Sequence, residues 1–575
     1  MFRAIAKIRV PALHLRTARI RGYTQRRTHN PDQYDGEVVG VEPVVSPLAI
    51  GASVVFVGGL SYYIYSEYGQ AIASYLPWID SIVPISDAQL KAEDISRDKA
   101  RKQRLQRAQM APKSDLTTAE QLKWAWTHPG LYVVGSNEFG LADPQHPGAT
   151  SGVKCSVPGL EGKLIRSAAF FKAHATAVDS SGSLYQWGTG FAGNTPHLPV
   201  CTLKDASICE VATSNDFVIV RDRKSRIRVL RGKVEPDQSG VEKPISLAFE
   251  PQLGWRESVV SMSAGRSHVA VTTNSGHVYT AALDPEGSIR GQLGHGPNAK
   301  VPLLQLHRIQ SDRRFASAAC GDDHTLLLTT EGDVLGCGAN DFGQLATGAY
   351  NSKKATVHEL VPLPQLWKDG YFRPQNAHAV DVAAGAATSY AQIVQGGARR
   401  VLAWGRGIDG QLGTGTLTHM QGFPVVVPAL SDHEEFDSTL NTRRSIGLRT
   451  LSVGADHAVA VCDNRSNVVL DTSGASVDAL PLFGHDVVVW GSNSSGQCEP
   501  VRRHRFAEPA HPPPLFTSTS ASSNNIMRLQ AAPPQWIPSS RLHAAHAGSL
   551  PKTVLVEQKF VAGADVTAAF LQPCK

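Results

Sequence analysis

Four histidines recur at one place in a repeated pattern: His174, His268, His324 and His457. Three of them close a Gly-x-x-His unit: Gly265-Arg266-Ser267-His268, Gly321-Asp322-Asp323-His324 and Gly454-Ala455-Asp456-His457. Imidazoles can ligate a metal or act as general bases. The adjacent carboxylates Asp322, Asp323 and Asp456 are acidic loop candidates, but they lie inside the repeat motifs and are expected to be structural first. Metal binding or catalysis would need several of these groups to converge at one point, however. One histidine per repeat is the pattern of a structural residue in a stacked unit, and we expect each to bond a neighbouring turn. The eight cysteines (155, 201, 209, 320, 337, 462, 498, 574) contain no CxxC pair, so scattered core thiols are expected rather than a zinc site or a disulfide framework. The chain has no GxxxxGK[ST], HExxH or GxSxG. No catalytic, cofactor-binding or metal-binding residue is assigned, and the sequence reads as a non-enzyme.

The elements carrying the histidines are strands. The Gly-x-x-His unit lies between two apolar runs in the three clear copies, and weaker copies sit at Ala168–Ala177, Val211–Val220, Val382–Ala391 and Phe560–Ala569. A second motif, a strand ending in Trp-Gly and a Gly-rich turn, alternates with it. Its good copies are Leu184–Gly188, Leu335–Leu345, Leu402–Gly413 and Val489–Gln497, and Val229–Gly232, Tyr279–Gly296 and Val133–Gly140 are degenerate ones. Each motif counts to seven. Ser181-Gly182, Asn274-Ser275-Gly276, Glu331-Gly332 and Gly396-Gly397 separate the two motifs as hairpin turns do. Four-stranded units repeated radially make a propeller. The glycines are expected to serve positive φ and close backbone approach. Trp187, Trp404 and Trp490 are expected to be packing residues. The last repeat, Val561–Phe570, lacks a following Trp-Gly strand, which appears instead upstream at Leu131–Gly140. A repeat split in this way predicts a ring in which both chain ends share one blade.

The motif Gly-x-x-His, then a hairpin, then Trp-Gly-x-Asn-x-x-Gly-Gln-Leu-Gly resembles the repeat of the regulator of chromosome condensation superfamily. The resemblance covers about Trp126–Phe570, and it implies an all-β, seven-bladed propeller closed by strands from both ends.

Residues 1–29 contain Arg3, Lys7, Arg9, Arg16, Arg19, Arg21, Arg26 and Arg27 and no acid, as a mitochondrial presequence does. A linker is expected at 30–46. Residues 47–65 are expected to form one transmembrane helix, since the chain is uncharged from Pro43 to Ser66 and Tyr62, Tyr63 and Tyr65 cluster at one end. A charged helical stalk is expected over 66–125, richest in i,i+4 opposite charges at 87–113. The propeller is expected over 126–575. These parts together point to the mitochondrial inner membrane, with the side holding the propeller left open. The net charge of +6 in 575 residues resides mostly in the leader, so a nucleic-acid footprint is not favoured.

Three insertions interrupt the repeats: 347–380 with Trp367 and Tyr371; 421–448 with Asp432, Glu434, Glu435, Asp437, Arg443 and Arg444; and 499–552, which is rich in Arg, Pro and Ser. The composition of the last is that of a segment without a packed core. The layout resembles fungal mitochondrial inner-membrane propeller proteins implicated in respiratory complex III assembly. That resemblance implies a scaffold whose partners are complex III (cytochrome bc1) subunits or assembly factors. The alternatives are guanine-nucleotide exchange on a mitochondrial GTPase, as some superfamily members perform with a wedge and acidic loop residues, and association with the mitochondrial ribosome or RNA. No wedge can be aligned here.

Overall fold

The computed structural model describes Gln121–Cys574 apart from several loops, the longest being 233–242, 367–376, 466–483, 513–528 and 540–550. The expected presequence, linker and span, and the stalk up to residue 120, lie outside the described residues. Among the described residues no helix is long and apolar enough to cross a membrane.

The described chain is all-β and builds seven sheets of four or more strands, one per blade, plus one separate hairpin. Blade one comprises Ile165–Phe170, Ala175–Asp179, Ser183–Trp187 and Val200–Lys204, and blade two begins at Ile208. Blades three to six begin at Val259, Phe315, Ala377 and Leu448. Within a blade each strand pairs antiparallel with the next, as in Met262↔Val271 and Val271↔Tyr279 of blade three. The first strands of successive blades touch one another, which places them nearest the axis. The second strands are buried along most of their length, for example all of His324–Thr329. Covered on both faces by neighbouring blades, they read as unbroken apolar runs instead of alternating ones.

Blade seven draws on distant parts of the chain. Its strands run in the order Cys155–Ser156, Leu131–Gly135, Val566–Pro573, Thr553–Ala562 and Gln535–Pro538. Val133 lies opposite Ala568, and Val134 opposite Thr567. Blade seven in turn packs on the first strand of blade one, where Phe170 and Ala168 meet Val566 and Ala568 in one buried cluster.

Two expectations about the insertions are refined. Thr356–Pro362 and Arg505–Ala510, within the expected insertions, and Thr418–Val426, which overlaps the start of the 421–448 insertion, are the outermost strands of blades four, six and five. These strands are half-exposed and lack the apolar signature that marks the inner ones. The 499–552 segment also contributes to the core. Leu529, Ala531, Ala532 and Ile537 are buried, because Gln530–Ala531 pairs with blade six and Gln535–Pro538 with blade seven. The short helical stretch from Gln121 packs Leu122 and Trp126 against Ile537, Val554, Val556 and Leu571.

Candidate functional site

Every blade has its first-to-second-strand turn on one face of the ring, which also carries the Gly-rich turns that follow the third strands. At this face the chain forms a circuit of backbone hydrogen bonds around the axis. Asn215 N–H donates to Arg266 O, Arg266 N–H to Asp322 O, and Asp322 N–H to Ala386 O, each at 3.0 Å. Ala386 N–H then donates to Ala455 O at 3.4 Å and Ala455 N–H to Gly563 O at 3.2 Å. The preceding glycines are there for close approach. A Cβ on Gly321 would lie 2.1 Å from His324 Cε1 and 2.5 Å from Gly385 O, and one on Gly265 would lie 2.2 Å from Gly321 O.

Three of the recurrent histidines stand behind this circuit, fully buried, in blades three, four and six, and His174 in blade one is buried as well. His268 Nε2 meets Thr325 Oγ1 at 2.9 Å, His324 Nε2 meets Ser389 Oγ at 3.0 Å, and His457 Nε2 meets Thr567 Oγ1 at 2.9 Å. Each partner is a hydroxyl on the second strand of the next blade rather than a turn. Thr325 donates its own proton to Gln292 O and Ser389 to Gln344 O, both at 2.8 Å. The hydroxyls must therefore accept from Nε2–H, which fixes the tautomer and leaves Nδ1 as a lone pair. The Nδ1 atoms of His268, His324 and His457 have no hydrogen-bond partner. Burial lowers the imidazole pKa to about 3 at His268, aided by His324, and to about 4 at His324 and His457. These are neutral structural residues. The tryptophans complete the same joints, Trp404 Nε1 donating to Gln344 O and Trp490 Nε1 to Gln411 O at 2.8 Å. The glutamine side chains of these turns close them locally, as when Gln344 Oε1 accepts from Phe342 N–H at 2.9 Å.

Charged residues of the same turns surround the mouth of the axis. Arg266 Nη2 donates to both carboxylate oxygens of Asp323, at 2.8 and 2.9 Å, so blades three and four share an ion pair. Arg406 of blade five holds Asp456 of blade six at 2.8 Å and Asp409 at 3.1 Å. Asp322 points into a less compensated place. Burial, then the neighbouring Asp323, raise its carboxyl pKa to about 6, with Arg266 opposing and Asp456 adding to the rise. Burial also raises Asp456, against the pull of Arg406, and Asp565, against that of Lys172. Asp322, Asp323 and Asp456 thus fall on one face, as their shared repeat position requires. Arg266, Arg406, Lys172 and Asp565, which sequence reasoning did not single out, join them. Arg266 and Asp565 follow the turn glycines Gly265 and Gly563, and Lys172 follows the equivalent Phe171, whereas Arg406 follows Gly405 of the Trp-Gly motif. This arrangement is a set of fixed carboxylates with arginine braces. It can recognise cationic groups and N–H donors of a partner, and it contains no nucleophile–base pair.

The hairpin His433–Asp437 with Thr442–Ile446 projects from the opposite face. It packs beside the second-to-third-strand turns of blades five and six, where Ser445 Oγ accepts from Arg399 N–H at 3.0 Å and Arg444 pairs with Asp463 at 3.1 Å. Within the hairpin Arg444 also bridges to Glu435.

A seven-bladed ring with Gly-x-x-His turns in three blades and indole bonds between blades is similar to the architecture of regulator of chromosome condensation propellers. The repeat signature described as "Regulator of chromosome condensation (RCC1) repeat" matches residues 288–328 and 315–344, and the chain carries these repeats. It is 26% identical over 325 residues to the RCC1 domain-containing protein RUG3, mitochondrial, of Arabidopsis thaliana, covering 53% of this chain and 66% of that one. It is 24% identical over 347 residues to Protein FMP25, mitochondrial, of Saccharomyces cerevisiae, covering 52% and 57%. It is 27% identical over 236 residues to the Secretion-regulating guanine nucleotide exchange factor of Bos taurus, covering 41% of each. The chain thus spans less than two thirds of the length of these relatives. Among solved structures, human WBSCR16 superposes with a TM-score of 0.50 at 16% identity, over 77% of this chain and 98% of that one. Prp20p of Saccharomyces cerevisiae superposes with a TM-score of 0.50 at 13% identity, over 81% and 96%. Both show the fold alone.

Proposed function

We propose that this protein is a mitochondrial interaction scaffold, tethered to the inner membrane by the 47–65 segment and acting in assembly of respiratory complex III. Mitochondrial relatives support the compartment, as does the acid-free, arginine-rich leader. The observation that carries the scaffold reading is the axial face itself. Asp323 and Asp456 are held by Arg266 and Arg406 before any partner arrives, so little ordering entropy remains to oppose binding there. The partners are subunits or assembly factors of cytochrome bc1 that present basic or N–H-rich surfaces. Deletion is expected to reduce complex III on native gels while leaving the other respiratory complexes near normal. Undiminished complex III in deleted cells would overturn the assignment.

A second reading, guanine-nucleotide exchange on a mitochondrial GTPase, is favoured by the similarity to a named exchange factor. Exchange by a wedge plus acidic residues requires both on one face. The one separate hairpin among the described residues projects opposite Asp322 and Asp456, so these two do not converge on a nucleotide. Purified full-length chain is therefore expected not to accelerate nucleotide release from a mitochondrial GTPase. A large acceleration, abolished by Asp456→Ala, would promote this reading over the first.

A further inference from the structure

Lys163 lies on the segment that links the edge strand of blade seven, Cys155–Ser156, to the first strand of blade one at Ile165. Its neighbour Gly162 donates N–H to Pro129 O at 2.8 Å, which holds the segment beside the entry to Leu131–Gly135. The lysine side chain is turned inward and is 17% exposed. Its Nζ lies 4.1 Å from the centre of the Tyr185 ring and donates to the Tyr185 hydroxyl. That hydroxyl donates in turn to Asp179 Oδ2 at 3.4 Å, and Nζ itself is 3.9 Å from the same oxygen. Asp179 is fully buried. Its Oδ1 accepts from Ser181 N–H at 2.9 Å, from Ser183 N–H at 3.1 Å and from the Ser181 hydroxyl. The second-to-third-strand turn of blade one thus occupies Oδ1, and Oδ2 faces Tyr185 and Lys163. Burial lowers the Lys163 pKa against the opposing pull of Asp179, Cys201 and Glu161. Burial also raises Tyr185, with Asp179 and Cys201 adding to the rise, so its phenol stays neutral and can both accept and donate a proton.

We propose that Lys163 is a covalent modification site, an amine nucleophile that takes an acyl group from an acyl thioester, with Tyr185 and Asp179 aligned to receive its proton. A surface ammonium is strongly hydrated and stays protonated. Here the lysine end packs over the Tyr185 ring, which strips water from Nζ and favours the neutral amine. The hydrogen-bonded file from Lys163 through Tyr185 to Asp179 gives the released proton a path. In the step itself the Nζ lone pair attacks the thioester carbonyl, an N–C bond forms, the C–S bond breaks and the thiolate leaves. The surplus proton on nitrogen passes through the Tyr185 hydroxyl to Asp179, which returns it to water by the same path, and the thiolate takes a proton from water. The products are an amide on Lys163 and a free thiol. Acylation cancels the positive charge beside a buried carboxylate, and it does so on the segment that joins blade seven to blade one. The inference rests on this side-chain file alone and is independent of the partner proposed above.

The test incubates the purified full-length chain with the N-acetylcysteamine thioester of acetate and follows acetylation at each lysine by peptide mass spectrometry. The initial rate at Lys163 is expected to exceed that at the exposed Lys300 and Lys552 several-fold, although those two are more accessible. Its rise with pH is expected to begin at a lower pH than theirs. Tyr185→Phe keeps the ring beneath the lysine end and removes the hydroxyl. It is expected to bring the Lys163 rate down to that of Lys300 while leaving Lys300 unchanged, and its melting temperature is measured alongside. The wild-type rates and their pH profile carry the test by themselves if this variant folds poorly. A wild-type rate at Lys163 no higher than that at Lys300 overturns the proposal, because that is the outcome for an ammonium locked against Asp179. Selectivity for Lys163 that survives undiminished in a well-folded Tyr185→Phe chain overturns the proton path through Tyr185.

Discussion

Thr325 Oγ1 stands between two groups of the preceding blade, accepting from His268 Nε2 at 2.9 Å and donating to Gln292 O at 2.8 Å. A single hydroxyl thus joins blade four to blade three through two directed bonds in a fully buried place. Ser389 repeats the arrangement between His324 and Gln344. The joint explains why this histidine recurs without any ligand to hold, since its work is to orient one blade on the next.

Thr325→Val keeps the shape of the side chain and removes both bonds. It strands the buried Nε2–H of His268, and a stranded buried donor costs about 1–3 kcal/mol. Urea unfolding should show that loss. Thr330→Val, at an exposed turn, should lie within about 0.5 kcal/mol of wild type. Equal effects at the two sites would show that the joint carries no stability.

The same histidines make stability depend on pH. Their folded pKa values lie near 3 to 4, below the ~6.5 of an unfolded chain. The unfolded state therefore binds more protons over this range, and stability present above about pH 6.5 is lost as pH falls toward 4. Each histidine contributes about 1.4 kcal/mol per pH unit within that window. His457→Gln should flatten the slope of unfolding free energy against pH. An unchanged slope would mean that His457 is not titrating on unfolding.

Gly321→Ala should be severe. The new methyl would meet both the His324 ring and the Gly385 carbonyl of the next blade at well under contact distance, and neither is a flexible side-chain end. Overpacking of this kind costs about 1–3 kcal/mol or more. Melting curves should show a drop of several degrees, and a stable, unshifted variant would refute the close-approach account of this glycine.

Asp322→Asn should raise stability at neutral pH while weakening partner capture. The Asp322 carboxyl titrates near 6 in the fold, against ~3.9 when unfolded. The folded state thus resists ionisation, a cost absent below about pH 4 and fully felt above about pH 6. The amide removes that cost, so the gain over wild type should grow with pH across this window. Loss of stability at pH 7 in the variant would show that the carboxylate is compensated after all.

Removing the chain from Pro551 onward takes away the Thr553–Ala562 and Val566–Pro573 strands together with Thr567, the partner of His457. Leu131–Gly135 would lose the strand on which Val133 faces Ala568. The expected result is loss of a single cooperative unfolding transition, read by circular dichroism. A truncated chain that melts like the full one would show that the shared blade contributes little.

The sequence by itself determined the blade count, the hairpin turns and the register of the axial residues. It could do so because inner strands are buried on both faces and each turn imposes its own glycine, histidine or tryptophan at a fixed offset. It did not reveal the outer strands such as Thr356–Pro362 and Thr418–Val426, whose half-exposed residues carry no apolar period. Only the tertiary structure decided which atoms the repeated side chains meet. His268 finds its hydroxyl at Thr325, 57 positions away, and Arg266 finds Asp323 at the same separation, because the ring brings equivalent positions of successive blades side by side. It also decided that the acidic turns and the separate hairpin lie on opposite faces, a consequence of alternate strand ends pointing opposite ways along the axis. Residue types fix local chemistry, whereas closure of the ring sets which chemistries share a surface.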